Sequence, residues 1–537
     1  MPILSVKNLS ISISEIPILK NISFELKKNK ILGIVGESGS GKSITALSII
    51  NLFNSKNVVK TGSINFNGKA INSLNFIDFE KIRGNDISII FQEPMSSLNP
   101  SMKCGEQIIE VILNHRSINK KSAKKKVYKL LEKVQLTDPE TFYNKYPHQL
   151  SGGQQQRIMI AMAISCNPKI LIADEPTTSL DGIVKKEIVH LLKSIQKETK
   201  MSIIFISHDL QLVSNIAENV LVLNQGEIEE MGSSNQIFNT PKKQYTKLLL
   251  NSRPPKHSRP KRLPTNENSL EESIVITKQD RAKAHDKIYK KPPILKVKNL
   301  EFSYNNIKIL NNISFNLYKG ESLGLIGESG SGKSTIARSI LNLNNFSKGQ
   351  IFYKEKNIKE INEKEFRKNI QLIFQDPFSS LNPEISIGSS IVEPMLSHNL
   401  FDTIDESKEK AISLLEQVNL KKSDFNKYPH EFSGGQRQRI VIARALALNP
   451  DILICDESVS ALDVSVQAQV LNLLNNLKEK FSFTFLFISH DLSVVKYMTD
   501  RLMILNKGEI EEINETDELL SNPKKNYTKK LLLSNDF

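Results

Sequence analysis

The stretch Gly36-Glu37-Ser38-Gly39-Ser40-Gly41-Lys42-Ser43 follows a short apolar run, Ile31 to Val35, and opens a segment with helical spacing. It is written a second time as Gly327-Glu328-Ser329-Gly330-Ser331-Gly332-Lys333-Ser334, after the apolar run Ser322 to Ile326. Both copies fit G-x-x-x-x-G-K-[ST] in the strand-then-helix context that gives the pattern a mechanism. Glycines let the backbone turn tightly enough for successive N–H groups to face phosphate oxygens, and the helix start adds partial positive charge. The lysine then reaches the β and γ phosphates, and the serine hydroxyl takes a Mg²⁺ position. A single copy is compatible with a plain glycine turn; two nearly identical copies argue for a phosphate cradle in each half.

Working outward, the chain repeats itself in register. Lys42 and Lys333 stand 291 positions apart and Gln92 and Gln375 stand 283 apart. Ser151 and Ser433, Glu175 and Glu457, and His208 and His490 are each separated by 282. A period this long marks the duplication of a whole domain, not a solenoid. Each half opens with a β-rich run (Leu4 to Leu26, Leu295 to Leu317), and later apolar runs read as buried strands: Ile87 to Gln92 and Ile370 to Gln375, Ile170 to Glu175 and Ile452 to Glu457, Ile203 to Ile206 and Phe485 to Ile488. The loops Glu93-Pro-Met-Ser-Ser-Leu-Asn-Pro100 and Asp376-Pro-Phe-Ser-Ser-Leu-Asn-Pro383 carry residues that break regular structure. A charged helix follows in each half, and its run Lys120-Lys-Ser-Ala-Lys-Lys-Lys126 reads as a solvated face.

The expected fold is therefore α/β, with two tandem phosphate-loop NTPase domains, residues 1–252 and 292–537. Residues 253–291 hold Arg253-Pro-Pro-Lys and Arg259-Pro-Lys-Arg-Leu-Pro264, and 253–293 carry eleven Lys or Arg against five Asp or Glu. Proline, charge and few aromatics cannot supply a core of their own, so this segment reads as a semi-extended tether.

The whole chain has 537 residues, 39% apolar and 24% charged, the balance of an ordinary globular protein. No apolar run approaches the roughly 18 residues a membrane helix needs, and Met1-Pro-Ile-Leu-Ser-Val-Lys lacks the pattern of a signal peptide, so a cytosolic protein is expected. Cys104, Cys166 and Cys455 are too dispersed for a metal site or a disulfide framework and read as buried thiols. The net charge of +14 lies in good part in the tether, which argues against a nucleic-acid reader with a basic folded face.

Further chemistry stands at the strand and helix ends. Leu150-Ser-Gly-Gly-Gln154 and Phe432-Ser-Gly-Gly-Gln436 head helices, where Ile158, Ala161, Met162 and Ser165 show one-face spacing. A glycine-rich helix start with a free serine is either another anion site or a simple cap. The acid pairs Asp174-Glu175 and Asp456-Glu457 end buried strands and need a cation; the first acid suits a metal and the second the activation of a water. His208 and His490, each leading Asp after a strand, are expected to contact the γ-phosphate.

The order phosphate loop, glutamine, Ser-Gly-Gly-Gln, Asp-Glu, Ser/Ala-Leu-Asp, histidine resembles the ATP-binding cassette ATPases across both halves. The resemblance implies two subdomains per cassette, one β-rich and one helical, with ATP and Mg²⁺ as ligands. It implies that the cassettes pair head to tail, so that the loop of one faces the Ser-Gly-Gly of the other. Carried over by motif, Lys42, Ser43, Gln92, Asp174, Glu175 and His208 work opposite Ser433, Gly434, Gly435 and Gln436. The second site joins Lys333, Ser334, Thr335, Gln375, Asp456, Glu457 and His490 to Ser151, Gly152, Gly153 and Gln154. In that scheme Ser43, Gln92, Asp174, Ser334, Gln375 and Asp456 hold the metal, Glu175, Glu457, His208 and His490 are catalytic, and Asp181 and Asp463 lie in loops linking the sites. Tyr304 stands where the family stacks an aromatic on adenine, whereas the first half has Ile13.

Finer features resemble the dipeptide and oligopeptide importer branch, in particular its fused two-cassette members of the microcin C and glutathione type. They are the Gln-Glu/Asp-Pro-x-Ser-Ser-Leu-Asn-Pro loops, Tyr146-Pro-His and Tyr428-Pro-His, Asp463-Val-Ser-Val-Gln-Ala-Gln469, and the tails Asn239-Thr-Pro-Lys-Lys-Gln-Tyr-Thr246 and Asn522-Pro-Lys-Lys-Asn-Tyr-Thr528. Ser458 departs from the proline usual after the acid pair, which Pro176 keeps, and the iron-sulphur cysteine cluster of some peptide importers is absent. The branch implies an ATPase at the cytoplasmic face of the inner membrane, two membrane-spanning permease subunits that dock after each glutamine, and a separate substrate-binding protein, with no nucleic acid. A second class, soluble tandem cassettes acting on ribosomes or nucleic acid, shares the duplication and the basic charge; its members carry a longer, helical, strongly basic connector.

Overall fold

The computed structural model describes residues 2–534 apart from 54–56, 179, 257, 267–268, 270–273, 306 and 461. Ser179 and Ala461, part of the Ser/Ala-Leu-Asp motifs, lie outside the described residues. The chain divides into two units, 1–250 and 251–537.

In the first unit the apolar five-residue runs become the inner strands of a six-stranded sheet. Its order is Glu227–Ser233, Asn219–Asn224, Ile31–Val35, Ser202–Ile206, Ile170–Asp174, Ile87–Ile90. Its strands are parallel apart from the hairpin partner Glu227–Ser233. Ile31–Val35, Ile170–Asp174 and Ser202–Ile206 are buried at every position. That is why they read as unbroken apolar runs: helices or sheet cover both faces of a parallel sheet. A second, antiparallel sheet of Ile16–Lys27, Pro2–Ile13, Val58–Phe66 and Lys69–Ala70 packs its alternating apolar face over the first. The second unit repeats both sheets with the same strand order, built on Ser322–Ile326, Ile452–Asp456 and Thr484–Ile488.

The helical part of the first unit contains Cys104–His115, Lys120–Lys133 and Gly152–Ile164. Lys120–Lys133 keeps its lysines outward and buries Ala123, Val127, Leu130 and Leu131, so the basic run is a solvated face. Gly152–Ile164 differs from the one-face expectation: it is buried nearly all round, from Gln155 to Ile164, with Met162 only half-buried. The loops after the glutamines are not wholly irregular either, since Pro94–Ser97 and Pro377–Ser380 form single helical turns. In the second turn proline occupies the first helical position and Asp376 caps it, which suits a helix start. All three cysteines are buried free thiols.

The tether reading is corrected by the structure. The described residues of 251–291 belong to the second unit. Leu263, 2% exposed, inserts into that unit's core, and its backbone N–H and C=O both bond the Asn472 amide, at 2.9 and 2.8 Å. Arg259 donates to Thr499 O at 2.9 Å and to Asp517 at 3.1 Å. Lys278–Tyr289 is a helix capped by Thr277 and Asp280, and its Arg281 is paired with Asp517 and with Glu515 at 2.5 Å. The segment cannot make a core alone, but it borrows one, and its buried arginines meet carboxylates and helix-end carbonyls that neutralise them.

Candidate functional site

Each phosphate loop joins the end of a buried strand to a helix start. Gly41 and Gly332 cap the helices Lys42–Ile49 and Lys333–Ile340 in the left-handed region, at φ 102° and 105°. A Cβ on Gly41 would stand 2.4 Å from Leu19 Cδ2, so both conformation and space demand glycine there. Lys42 Nζ donates to Gly36 O and Glu37 O, both at 2.9 Å, and Lys333 Nζ to Gly327 O at 2.9 Å and Glu328 O at 3.0 Å. The buried ammonium is thus folded back over its own loop. The Ser40 and Ser331 hydroxyls in the same loops are buried and lack a hydrogen-bond partner among the described residues, as expected of a cradle shaped for an oxygen-rich ligand.

Beside the loop, Ser43 Oγ donates to Asp174 Oδ1 at 3.2 Å. The Asp174 carboxyl is pushed up to about 6, first by burial and also by Glu175, while Ser43 and Lys42 oppose the shift. Asp456 is raised for the same first reason, with Ser334 opposing, and its Oδ1 is buried without a hydrogen-bond partner among the described residues. A hydroxyl and a buried carboxylate short of positive charge form a donor set that fits a hard divalent cation. The sign of the pH dependence follows. A carboxyl raised on folding contributes stability below its unfolded value of about 3.9 and loses it as pH climbs through about 6, whereas a cation needs the ionised form. The Mg²⁺-dependent part of the thermal stabilisation by nucleotide is therefore expected to be larger at about pH 8 than at about pH 5. Melting curves with and without EDTA check this; equal shifts at both pH values would contradict it.

One carboxylate oxygen gathers the rest of the cluster. Glu175 Oε2 accepts from Gln92 Nε2 at 3.3 Å and Thr178 Oγ1 at 2.9 Å, and lies 3.0 Å from His208 Nδ1. Burial raises the Glu175 carboxyl, but His208, Thr178 and Lys42 outweigh it and hold the group below the usual range. Burial likewise disfavours the His208 imidazolium, yet the adjacent carboxylate leaves its pKa above normal. In the second unit Gln375 Nε2 donates to Glu457 Oε2 at 3.1 Å, and His490 Nδ1 lies 3.3 Å from the same oxygen. Both glutamates have left-handed backbones, φ 48° and 47°, and donate their N–H to the neighbouring strand, at Ile206 O and Ile488 O. A non-glycine residue held there is strained, and here the strand end enforces it. Thr178 was not singled out by the sequence; the available signal was its place three residues after the glutamate. Its counterpart Ser460 instead donates to Glu457 O at 2.8 Å.

Other predicted residues occupy separate places. Ser151 and Ser433 cap their helices in reciprocal boxes with Gln154 and Gln436, and none of the bonds above joins these helix starts to the loop cluster of the same unit. Asp181 caps Gly182–Thr199 through Val184 N at 3.0 Å, and Asp463 stands at the same position of Val464–Phe481. Tyr304 ends its strand opposite Ile307 and is 66% exposed, and Ile13 holds the same place opposite Ile16.

Comparison with known proteins agrees with this geometry. The profile of the ABC transporter family matches twice, over 19–178 and 310–460, and that of the oligopeptide/dipeptide transporter C-terminal region matches 230–275. The chain is 41% identical over 562 residues to the glutathione import ATP-binding protein GsiA of Salmonella typhimurium, covering 99% of this chain and 89% of that one. The Escherichia coli protein of the same name is 41% identical over 564 residues, and that of Pectobacterium atrosepticum 40% over 559, with the same coverage. Two cassettes with their loops, acid pairs and histidines in register, matched along almost the whole chain, establish that this protein belongs to the ATP-binding cassette transporter family, as a tandem ATPase of the dipeptide/oligopeptide importer type.

Proposed function

We propose that the protein powers the uptake of short peptides or peptide-like thiols of the glutathione class, docked at the cytoplasmic face of the membrane on two permease subunits that are supplied by a separate substrate-binding protein. The observation that supports the coupling is the glutamine bridge, Gln92 to Glu175 at 3.3 Å and Gln375 to Glu457 at 3.1 Å. In the second unit Gln375 stands between two exposed phenylalanines, Phe374 (49%) and Phe378 (61%), the latter in the loop it heads, suited to receive a helix of another polypeptide. A displacement of that loop therefore acts directly on the acid.

In this reading Lys42 and Lys333 neutralise the β and γ phosphates, and backbone N–H groups of both loops position them. Ser43 with Asp174, and Ser334 with Asp456, would hold Mg²⁺, which supplies charge neutralisation at the phosphates when bound. Glu175 and Glu457 take the proton of the attacking water, and we assign the water to Oε1, since Oε2 is taken by Gln92, Thr178 and His208 in the first unit. His208 and His490 turn to the γ-phosphate, which takes a positive neighbour away from Oε2 and raises the basicity of the acid. The head-to-tail pairing implied by the family motifs, with Ser151 and Ser433 completing the opposite sites, is part of the same proposal.

No helix of the described residues is long and apolar enough to cross a membrane, and in this reading the permease subunits supply the attachment. The test is fractionation combined with uptake. The full chain, co-expressed with its permease subunits, is expected to sediment with membranes, and its deletion to abolish uptake of radiolabelled glutathione or a tripeptide while sparing a free amino acid. Recovery with ribosomes, or unchanged peptide uptake, would favour the translation-type class.

A further inference from the structure

The residues between the cassettes follow one helix of the second unit from end to end. Arg253 Nη2 lies 3.6 Å from Asp491 Oδ2, at the N-cap of the helix Leu492–Met498. Three residues on, Lys256 O accepts from Lys496 Nζ, within the helix. Three further, Arg259 donates to Thr499 O, at its C-cap, 2.9 Å away. Beyond that, Leu263 locks the strap to the core through Asn472. The regular spacing places one strap residue at the start, one in the middle and one at the end of the same helix.

That helix begins directly after His490. Asp491 accepts from Ser493 N at 2.8 Å and Val494 N at 3.4 Å, and its own N–H donates to Ser489 Oγ at 3.1 Å, so its carboxylate fixes the turn that carries the histidine. His490 Nδ1 in turn sits 3.3 Å from Glu457 Oε2. The match to the oligopeptide/dipeptide transporter C-terminal region runs on to residue 275, so by sequence the strap continues the end of the first cassette, although it packs as part of the second unit.

We infer that this strap is a working part of the second hydrolytic site and that Arg253 is a positioning residue for His490, acting through Asp491. In this role Arg253 acts on the histidine turn alone. It holds the Asp491 carboxylate against its cap, and with it the Ser489-His490-Asp491 turn, so that the imidazole can move between Glu457 and the phosphate without losing register. Arg253 lies three positions beyond Leu250, the last residue of the first unit. The inference rests on the proposed role of His490.

The experiment compares Arg253→Ala, Arg253→Lys and His490→Ala in the full chain by steady-state ATP hydrolysis and thermal unfolding. In a Glu175→Gln background, which removes the turnover of the first site, Arg253→Ala is expected to lower kcat by about threefold to thirtyfold, with KM within about twofold and an unchanged Tm, and Arg253→Lys to recover most of the loss. An unchanged kcat in Arg253→Ala while His490→Ala is slow would overturn the inference and leave the role of His490 standing. A fall in kcat that follows a fall in Tm, or that lysine does not restore, would also overturn it, by making Arg253 merely structural. If His490→Ala itself hydrolyses ATP at the parent rate, the reading of His490 fails, and the role given to Arg253 fails with it.

Discussion

Changing Glu175 and Glu457 together to Gln is expected to slow ATP hydrolysis by about a hundredfold or more while leaving nucleotide affinity within about threefold. The expectation follows from what each glutamate touches. Glu175 Oε2 is held by Gln92, Thr178 and His208 and is kept ionised, so the group is a positioned carboxylate and not a solvated one. Glutamine preserves the shape and still accepts from Gln92 and Thr178 through its carbonyl, but it cannot take a proton from water. In the proposed site the phosphate contacts come from the loop and the lysine, which the change leaves alone. The variant should therefore load ATP and keep it, seen as radiolabelled ATP retained through gel filtration in Mg²⁺. Parent-rate turnover in the double variant would remove both glutamates from the proposed chemistry.

Changing Lys42 and Lys333 together to Ala is expected to weaken nucleotide binding by about a hundredfold or more, because a buried cation facing phosphate charge carries several kcal/mol when truncated. The same lysines close their own loops through Gly36 O, Glu37 O, Gly327 O and Glu328 O. Part of the loss will therefore be disorder of the cradle and part lost charge. Lys42→Arg with Lys333→Arg separates the two, since it keeps the charge with a different reach and fork geometry. Equilibrium binding of a fluorescent ATP analogue gives the affinity, and circular dichroism shows that the apo fold survives. Parent affinity in the alanine protein would show that phosphate is bound elsewhere.

Much of this protein is readable in one dimension. Two copies of an eight-residue loop, each between an apolar run and a helix, specify a duplicated phosphate-loop fold, because only glycine takes the left-handed turn at Gly41 and Gly332 and only a sheet covered on both faces needs runs as apolar as Ile31–Val35. What the tertiary structure alone decided is convergence. Gln92, Thr178 and His208 meet on one oxygen although Gln92 stands 83 positions and His208 33 positions from Glu175, since neighbouring parallel strands deliver their ends to the same edge. Local pattern also misread 253–291, for a physical reason. Composition reports whether a segment can build a core of its own, not whether it can join one built by residues some 200 positions away, as Leu263 and Arg259 do with Asn472 and Thr499.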